Sequence, residues 1–237
     1  MPFQTTNWTV IVQAAGDDSS AARSALDELC KGYWNPVNAF IRRQGYAEAD
    51  AQDLAQGYFT RFIEKEYIKD LSREGGRFRA FVLASLRHYL SNERDRDRAL
   101  KRGGGRLPLS LDQGSAEERH ALEPVDRETP ERIFERTWAT SLIDHALGRL
   151  ADEAAHAEGG ERFDQAKGHL TGGEDPSAYG ELAAAWGVGE SAVRVYVHRL
   201  RKRLKRLLRE EVAKTVADPA DVDDEVRYLL EVLGRRQ

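Results

Sequence analysis

Asp175-Pro176-Ser177-Ala178-Tyr179-Gly180-Glu181-Leu182-Ala183-Ala184-Ala185-Trp186-Gly187-Val188-Gly189-Glu190-Ser191-Ala192-Val193-Arg194-Val195-Tyr196-Val197-His198-Arg199-Leu200 holds the pattern on which the fold turns. Asp175 and Pro176 make a helix start, since proline suits a first turn whose N–H groups have no internal partner. Tyr179, Leu182, Ala183 and Trp186 follow at i, i+3, i+4 and i+7, the apolar face of a helix. Gly187-Val188-Gly189 breaks that pattern. Glu190 and Ser191 begin a second helix, whose buried face is Val193, Val197, Leu200 and Leu204. Two helices joined by a short glycine-containing turn predict a helix-turn-helix.

The second helix suits DNA. Its N-terminal half would face base edges in the major groove. With Val193 and Val197 inward, Arg194, Val195, His198 and Arg199 point outward, followed by Lys202 one turn on. An arginine fork can donate two hydrogen bonds to a guanine edge, the role expected of Arg194 and Arg199. Arg201, Lys202, Arg203, Lys205 and Arg206 suit phosphates and would supply salt-dependent affinity. A solvated basic helix, or one lying on a membrane surface, would show the same charge. The capped helix and glycine turn ahead of it favour DNA. For His198, base contact and plain surface exposure both stay open.

Charge is segregated around this helix. Ser191 to Arg209 carries eight Lys or Arg and no acid, whereas Glu210 to Gln237 carries eight acids and four bases. The pattern predicts a basic working surface followed by an acidic tail. Asp218 to Leu233 reads as a short amphipathic helix with Val222, Val226, Leu229, Leu230 and Leu233 inward. Its acids either restrain the basic helix or face water while the stripe completes the core.

Upstream, helical periodicity continues and strand alternation is confined to Trp8–Val12. Ala51, Leu54, Ala55, Tyr58, Phe59 and Phe62 form one stripe, and Phe78, Phe81, Val82, Leu86, Tyr89 and Leu90 another. Periodicity stops from Lys101 to Glu128, where Gly103, Gly104, Gly105 and Pro108 read as a linker. Thr129 then caps a helix with Pro130 in its first turn and Phe134, Trp138 and Leu142 on its buried face. The expected fold is all-α, two helical domains joined by a flexible linker. Its parts are an N-terminal segment (1–18), a first domain (19–101), the linker (102–128), a second domain with the helix-turn-helix (129–210) and an acidic tail (211–237).

The 237 residues are 41% hydrophobic, enough to bury a core, and the net charge is only −4. Cys30 is the single cysteine, which excludes an internal disulfide and predicts a small buried side chain. No stretch approaches the ~20 apolar residues of a membrane span. Met1 to Ala15 has no basic start followed by a long apolar run, so no signal peptide and a cytoplasmic setting are expected. The six histidines show no paired ligand spacing such as H-E-x-x-H, and neither a G-x-S-x-G elbow nor a phosphate-binding loop occurs. No enzyme, metal or cofactor is expected.

In the first domain, Asp53-Leu54-Ala55-Gln56-Gly57-Tyr58-Phe59 resembles the core-polymerase-binding helix of extracytoplasmic-function (ECF) sigma factors, commonly acid-Leu-x-Gln-acid-x-Phe. Gly76-Arg77-Phe78-Arg79-Ala80-Phe81-Val82 is similar to the start of that family's promoter-melting helix. Arg87 to Arg98 corresponds to the segment that reads the minus-ten element, and the helix-turn-helix to the one that reads the minus-thirty-five element. The matches span roughly 25–209. Departures are Gly57 for an acid, Phe81 for a Trp, His88 and Asn92 for Asn and Asp, the acidic stretch Ala151–Glu161, and the tail after Thr215.

The resemblance implies an initiation factor with core RNA polymerase and promoter DNA as partners; an anti-sigma protein is a further candidate partner. Polymerase contact is expected at Asp50, Asp53 and Gln56. Single-stranded minus-ten DNA is expected at Arg79, Arg87, His88, Asn92 and Arg94, since cations and aromatic rings hold unstacked strands. Upstream duplex contact is expected at Arg194, Val195, His198, Arg199 and Lys202. Core packing competes with base stacking for Phe78, Phe81 and Tyr89, and local pairs with Glu93, Asp95 and Asp97 compete for Arg94, Arg96 and Arg98. The alternative function is a helix-turn-helix regulator that does not engage polymerase.

Overall fold

The structure, a computed structural model, describes residues 20–64, 76–102, 128–157, 160–170 and 176–234. The N-terminal segment 1–18, residues 103–127 of the expected linker and Asp175 lie outside the described residues. The described residues are all helical apart from turns and one isolated antiparallel bridge, Arg77 with Val216.

Helix α1 (Ser20–Arg43) buries Leu26, Cys30, Tyr33, Val37, Phe40 and Ile41 along one stripe. Burial, with Asp27 adding to it, pushes the Cys30 thiol up to about 12, so the sulfur is an inert core atom. Helix α2 (Glu48–Ile63) buries Ala51, Ala55, Tyr58, Phe59 and Phe62, while Leu54 stays half-buried. Glu48 and Asp50 in its first turn complement the positive end of the helix dipole. Helix α3 (Phe78–Arg102) buries Phe78, Val82, Leu86, Tyr89 and Leu90. Edge-to-face rings join the three helices: Tyr33 with Phe78 at 5.0 Å, Phe62 with Phe78 at 5.9 Å and Tyr58 with Tyr89 at 5.8 Å. Phe78 and Tyr89 are therefore core residues, and Phe81 is half-buried against Phe62.

Helix α4 (Pro130–His156) begins as its sequence demands: the Arg132 amide donates to the Thr129 hydroxyl at 3.3 Å, and Pro130 fills the first position. Its Phe134 lies 6.3 Å from Tyr33 and 6.4 Å from Phe40, so α4 packs along α1. The helical groups on either side of residues 103–127 thus share one hydrophobic core. The acidic stretch lengthens α4 as far as His156, ahead of the short α5 (Gly160–Ala166) and a 3-10 turn (Lys167–His169).

Helix α6 (Pro176–Trp186) and helix α7 (Glu190–Ala213) flank a tight turn. Gly187 has φ of 64°, a conformation only glycine adopts without strain. The Val188 amide donates to the Ala183 carbonyl at 3.0 Å and closes the helix end. Tyr179 and Ala183 of α6 and Val193 and Val197 of α7 are buried, whereas Leu182, Trp186, Leu200 and Leu204 are half-buried.

The chain then returns to the first helices. The Phe78 amide donates to the Thr215 carbonyl at 2.9 Å, and the Ala217 amide to the Gly76 carbonyl at 3.1 Å. A 3-10 turn (Pro219–Asp221) leads into helix α8 (Val222–Gly234), which packs on α4 and α7 and buries Val222, Val226 and Leu229. The stripe thus completes the core. Leu230, expected inward, is 55% exposed, while Glu225 is fully buried because two arginines at the start of α3 meet its side of the helix.

Candidate nucleic-acid interface

Burial of Val193 and Val197 fixes the rotation of α7 about its axis. Arg194, Val195, His198, Arg199 and Lys202 are all exposed, and their spacing puts them on one face. Val195 is 50% exposed, an uncovered apolar side chain among cations. Arg194 lies 5.5 Å from the Tyr179 ring and 3.9 Å from the Glu190 carboxylate. Both contacts hold its guanidinium beside the start of α7.

The phosphate candidates divide. Arg201 donates from Nε at 3.0 Å and from Nη2 at 2.7 Å to the His169 carbonyl, which closes the 3-10 turn onto α7. Arg203 pairs through both guanidinium ends with Glu153 of α4, and this hydrogen bonding holds the Glu153 carboxyl below its usual range. Arg201 and Arg203 thus serve the protein rather than solvent. Lys202, Lys205 and Arg206 remain exposed and line a groove with Arg209, Pro219 and Val222. Arg209 pairs with Asp223 of the tail and so joins the tail's acids to the basic helix.

One contributor was not singled out from the sequence. Arg162 of α5 stands 5.5 Å from the Trp186 ring and lines a cleft with Val188, Ser191, Val195 and Arg199. Nothing in its local sequence marks it, since only packing of α5 on the turn brings it there.

On α2, Asp53 and Gln56 are exposed and Asp50 is half-buried. Exposed Trp34 stacks on Phe59 at 5.8 Å, and Ile63 is 47% exposed, so apolar surface accompanies the polar face. A Cβ at Gly57 would lie 2.5 Å from the Tyr89 hydroxyl oxygen, so the buried Tyr89 ring requires the small residue there.

The five α3 residues expected at single-stranded DNA are not equivalent. Arg87 is exposed and pairs with Glu131 of α4 at 2.7 Å. Burial pushes the Glu131 carboxyl up, yet the Arg87 hydrogen bond and charge, its own backbone hydrogen bond and the Thr129 hydroxyl together leave it more acidic than usual. Exposed His88 shares a hydrogen bond with half-buried Asn92 at 3.2 Å. Arg94 is exposed and reaches the Tyr46 hydroxyl at 3.2 Å and Gln44 at 3.0 Å. Arg96 and Arg98 form the local pairs anticipated, with Glu93 at 2.9 Å and Asp95 at 3.6 Å.

Arg79 departs from the expectation. It is buried and clamps the Glu225 carboxylate, Nε at 2.5 Å from Oε1 and Nη2 at 3.3 Å from Oε2. Glu135 approaches at 3.4 Å, and the Tyr228 ring lies 4.0 Å away. Burial opposes its charge, but the Glu225 hydrogen bond together with the charges of Glu225, Tyr228 and Glu135 outweighs it and raises the Arg79 pKa. In this conformation Arg79 presents nothing to a strand outside.

Among the described residues no group of His, Cys, Asp and Glu is arranged to hold a metal ion, and no helix is long and apolar enough to cross a membrane. No family model matches the chain, and no curated protein or solved structure was found to be similar to it.

Proposed function

We propose that the chain is a sigma factor of the ECF class, which binds core RNA polymerase and directs it to promoters. The observation that carries the reading is the exposed face Arg194, Val195, His198, Arg199 and Lys202 on α7, directly after the Gly187 turn. Helices α6 and α7 are then a helix-turn-helix, with α7 as the recognition helix in the major groove of upstream duplex. The Arg forks suit guanine edges, Val195 suits a thymine methyl, and Lys202, Lys205 and Arg206 suit phosphates. Asp53 and Gln56, exposed on α2 beside Trp34 and Ile63, form the polymerase-facing patch. Arg87, His88, Asn92 and Arg94 remain as the minus-ten surface. In this reading the helical groups 19–101 and 129–210 act as two domains during initiation, and polymerisation belongs to the cytoplasmic partner.

Retention of core polymerase on immobilised full-length protein, followed by transcription from genomic DNA, tests the proposal. Wild type should retain core and start transcripts at defined sites. Asp53→Arg should lose retention while keeping its helical content. Sequence-selective duplex binding without core retention would instead identify a regulator that reads DNA alone.

A further inference from the structure

The buried contact between the tail and the start of α3 does more than fill space. Glu225 meets Arg79 through two nitrogens and Arg77 Nε at 2.9 Å, and its side chain is only 1% exposed. Apolar residues of like volume usually serve stability as well as such a buried ion pair, or better, so core filling alone does not call for charge here. A guanidinium fork that grips two carboxylate oxygens grips two phosphate oxygens equally well. The first turn of α3 holds no acid of its own, so these arginines draw their counter-charge from other helices, Glu225 of α8 and Glu135 of α4.

The element that delivers Glu225 is easy to detach. Helix α8 has 13 residues, too few to persist alone in water. Besides the Glu225 and Asp223 ion pairs and the Tyr228 ring over Arg79, three buried apolar side chains, Val222, Val226 and Leu229, and the short bridge at Val216 hold the tail down among the described residues. Such a terminal unit opens at lower free energy than the interior helices. Arg77 is already 35% exposed and offers an arriving anion a first foothold.

We propose that α8 is an intramolecular competitor for nucleic acid: Glu225 occupies a phosphate site formed by Arg77 and Arg79, and single-stranded DNA displaces it. The proposal rests on the nucleic-acid part of the reading above and adds a closed state, in which the tail neutralises the start of α3, and an open one. The tail thus restrains the start of α3, besides its Asp223 contact with Arg209 of α7.

Binding of fluorescein-labelled oligothymidylate to the full chain, followed by anisotropy across a salt series, tests this. Glu225→Gln should bind roughly tenfold tighter at low salt, and its log K against log salt slope should steepen by about 1.4, since each released guanidinium neutralises one phosphate of a single strand. Adding Arg77→Gln and Arg79→Gln should remove the gain. A folded Glu225→Gln protein with wild-type affinity and slope overturns the proposal. Because that variant leaves two arginines short of an anion, amide hydrogen exchange on wild type is a second readout. Oligothymidylate should speed exchange across 218–234 and slow it near Arg77 and Arg79. Unchanged exchange across 218–234 also overturns the proposal. So does release by core polymerase but not by the oligonucleotide, which would make the competitor a protein. Duplex binding and core retention, measured on the same wild-type sample, report separately on the sigma reading.

Discussion

Arg199→Ala and Arg194→Ala should both weaken duplex binding, but unequally, and the inequality comes from the structure. Both guanidiniums sit on the exposed face of α7. An arginine that reaches a base edge contributes about 1–3 kcal/mol, so Arg199→Ala should cost roughly 5- to 150-fold in affinity and relax base choice at one position. Arg194 must first leave the Glu190 carboxylate 3.9 Å away, and it rests against the Tyr179 ring. An exposed ion pair is worth about 0–1 kcal/mol. Arg194→Ala should therefore cost about 0.5 kcal/mol less than Arg199→Ala, and Glu190→Gln should tighten binding slightly. Anisotropy with a duplex selected from a random library, at fixed salt and then across a salt series, measures all three. Wild-type affinity, base preference and salt slope in Arg199→Ala would refute the assignment of α7 as the recognition helix.

Two further predictions concern the shared core. Glu211 is 3% exposed; burial pushes its carboxyl up, but hydrogen bonds from Lys214 and Arg149, with His145 nearby, hold it below the usual range. A depressed carboxyl stabilises the fold above its unfolded value of about 4.3 and loses that contribution as pH falls towards its folded value, so the melting temperature should drop below about pH 4 and drop less steeply in Glu211→Gln. Trp138→Ala should cost about 3–5 kcal/mol of unfolding free energy in urea, since Trp138 is 1% exposed where α4 meets α1, and loss below ~1 kcal/mol would show that the two helices do not share a core.

Local rules made much of the chain legible. The Thr129 cap and Pro130, the Gly187 turn, the stripes of α2 and α3, and the outward face of α7 depend on residues within about one turn of each other. The Arg96–Glu93 and Arg98–Asp95 pairs are legible for the same reason, being i,i+3 neighbours on one helix. Gly57 looked like a departure from a family pattern; its cause, the Tyr89 hydroxyl, lies on a different helix.

What tertiary structure decided is which flank of a stripe turns inward and which cations keep their charge for a partner. On α8, Glu225 and Leu230 lie on opposite flanks of the Val222, Val226 and Leu229 stripe, and hydrophobicity alone would bury Leu230. The neighbours decide otherwise: Arg77 and Arg79 stand on one side and solvent on the other, so the carboxylate goes in and the leucine stays out. Arg79, Arg201 and Arg203 look in sequence like Arg199 and Arg87. Their partners Glu225, the His169 carbonyl and Glu153 are remote in the chain, and only packing brings those anions and dipoles within hydrogen-bond reach. A charged side chain's role follows from the field around it, and helical periodicity carries no information about charges on other helices.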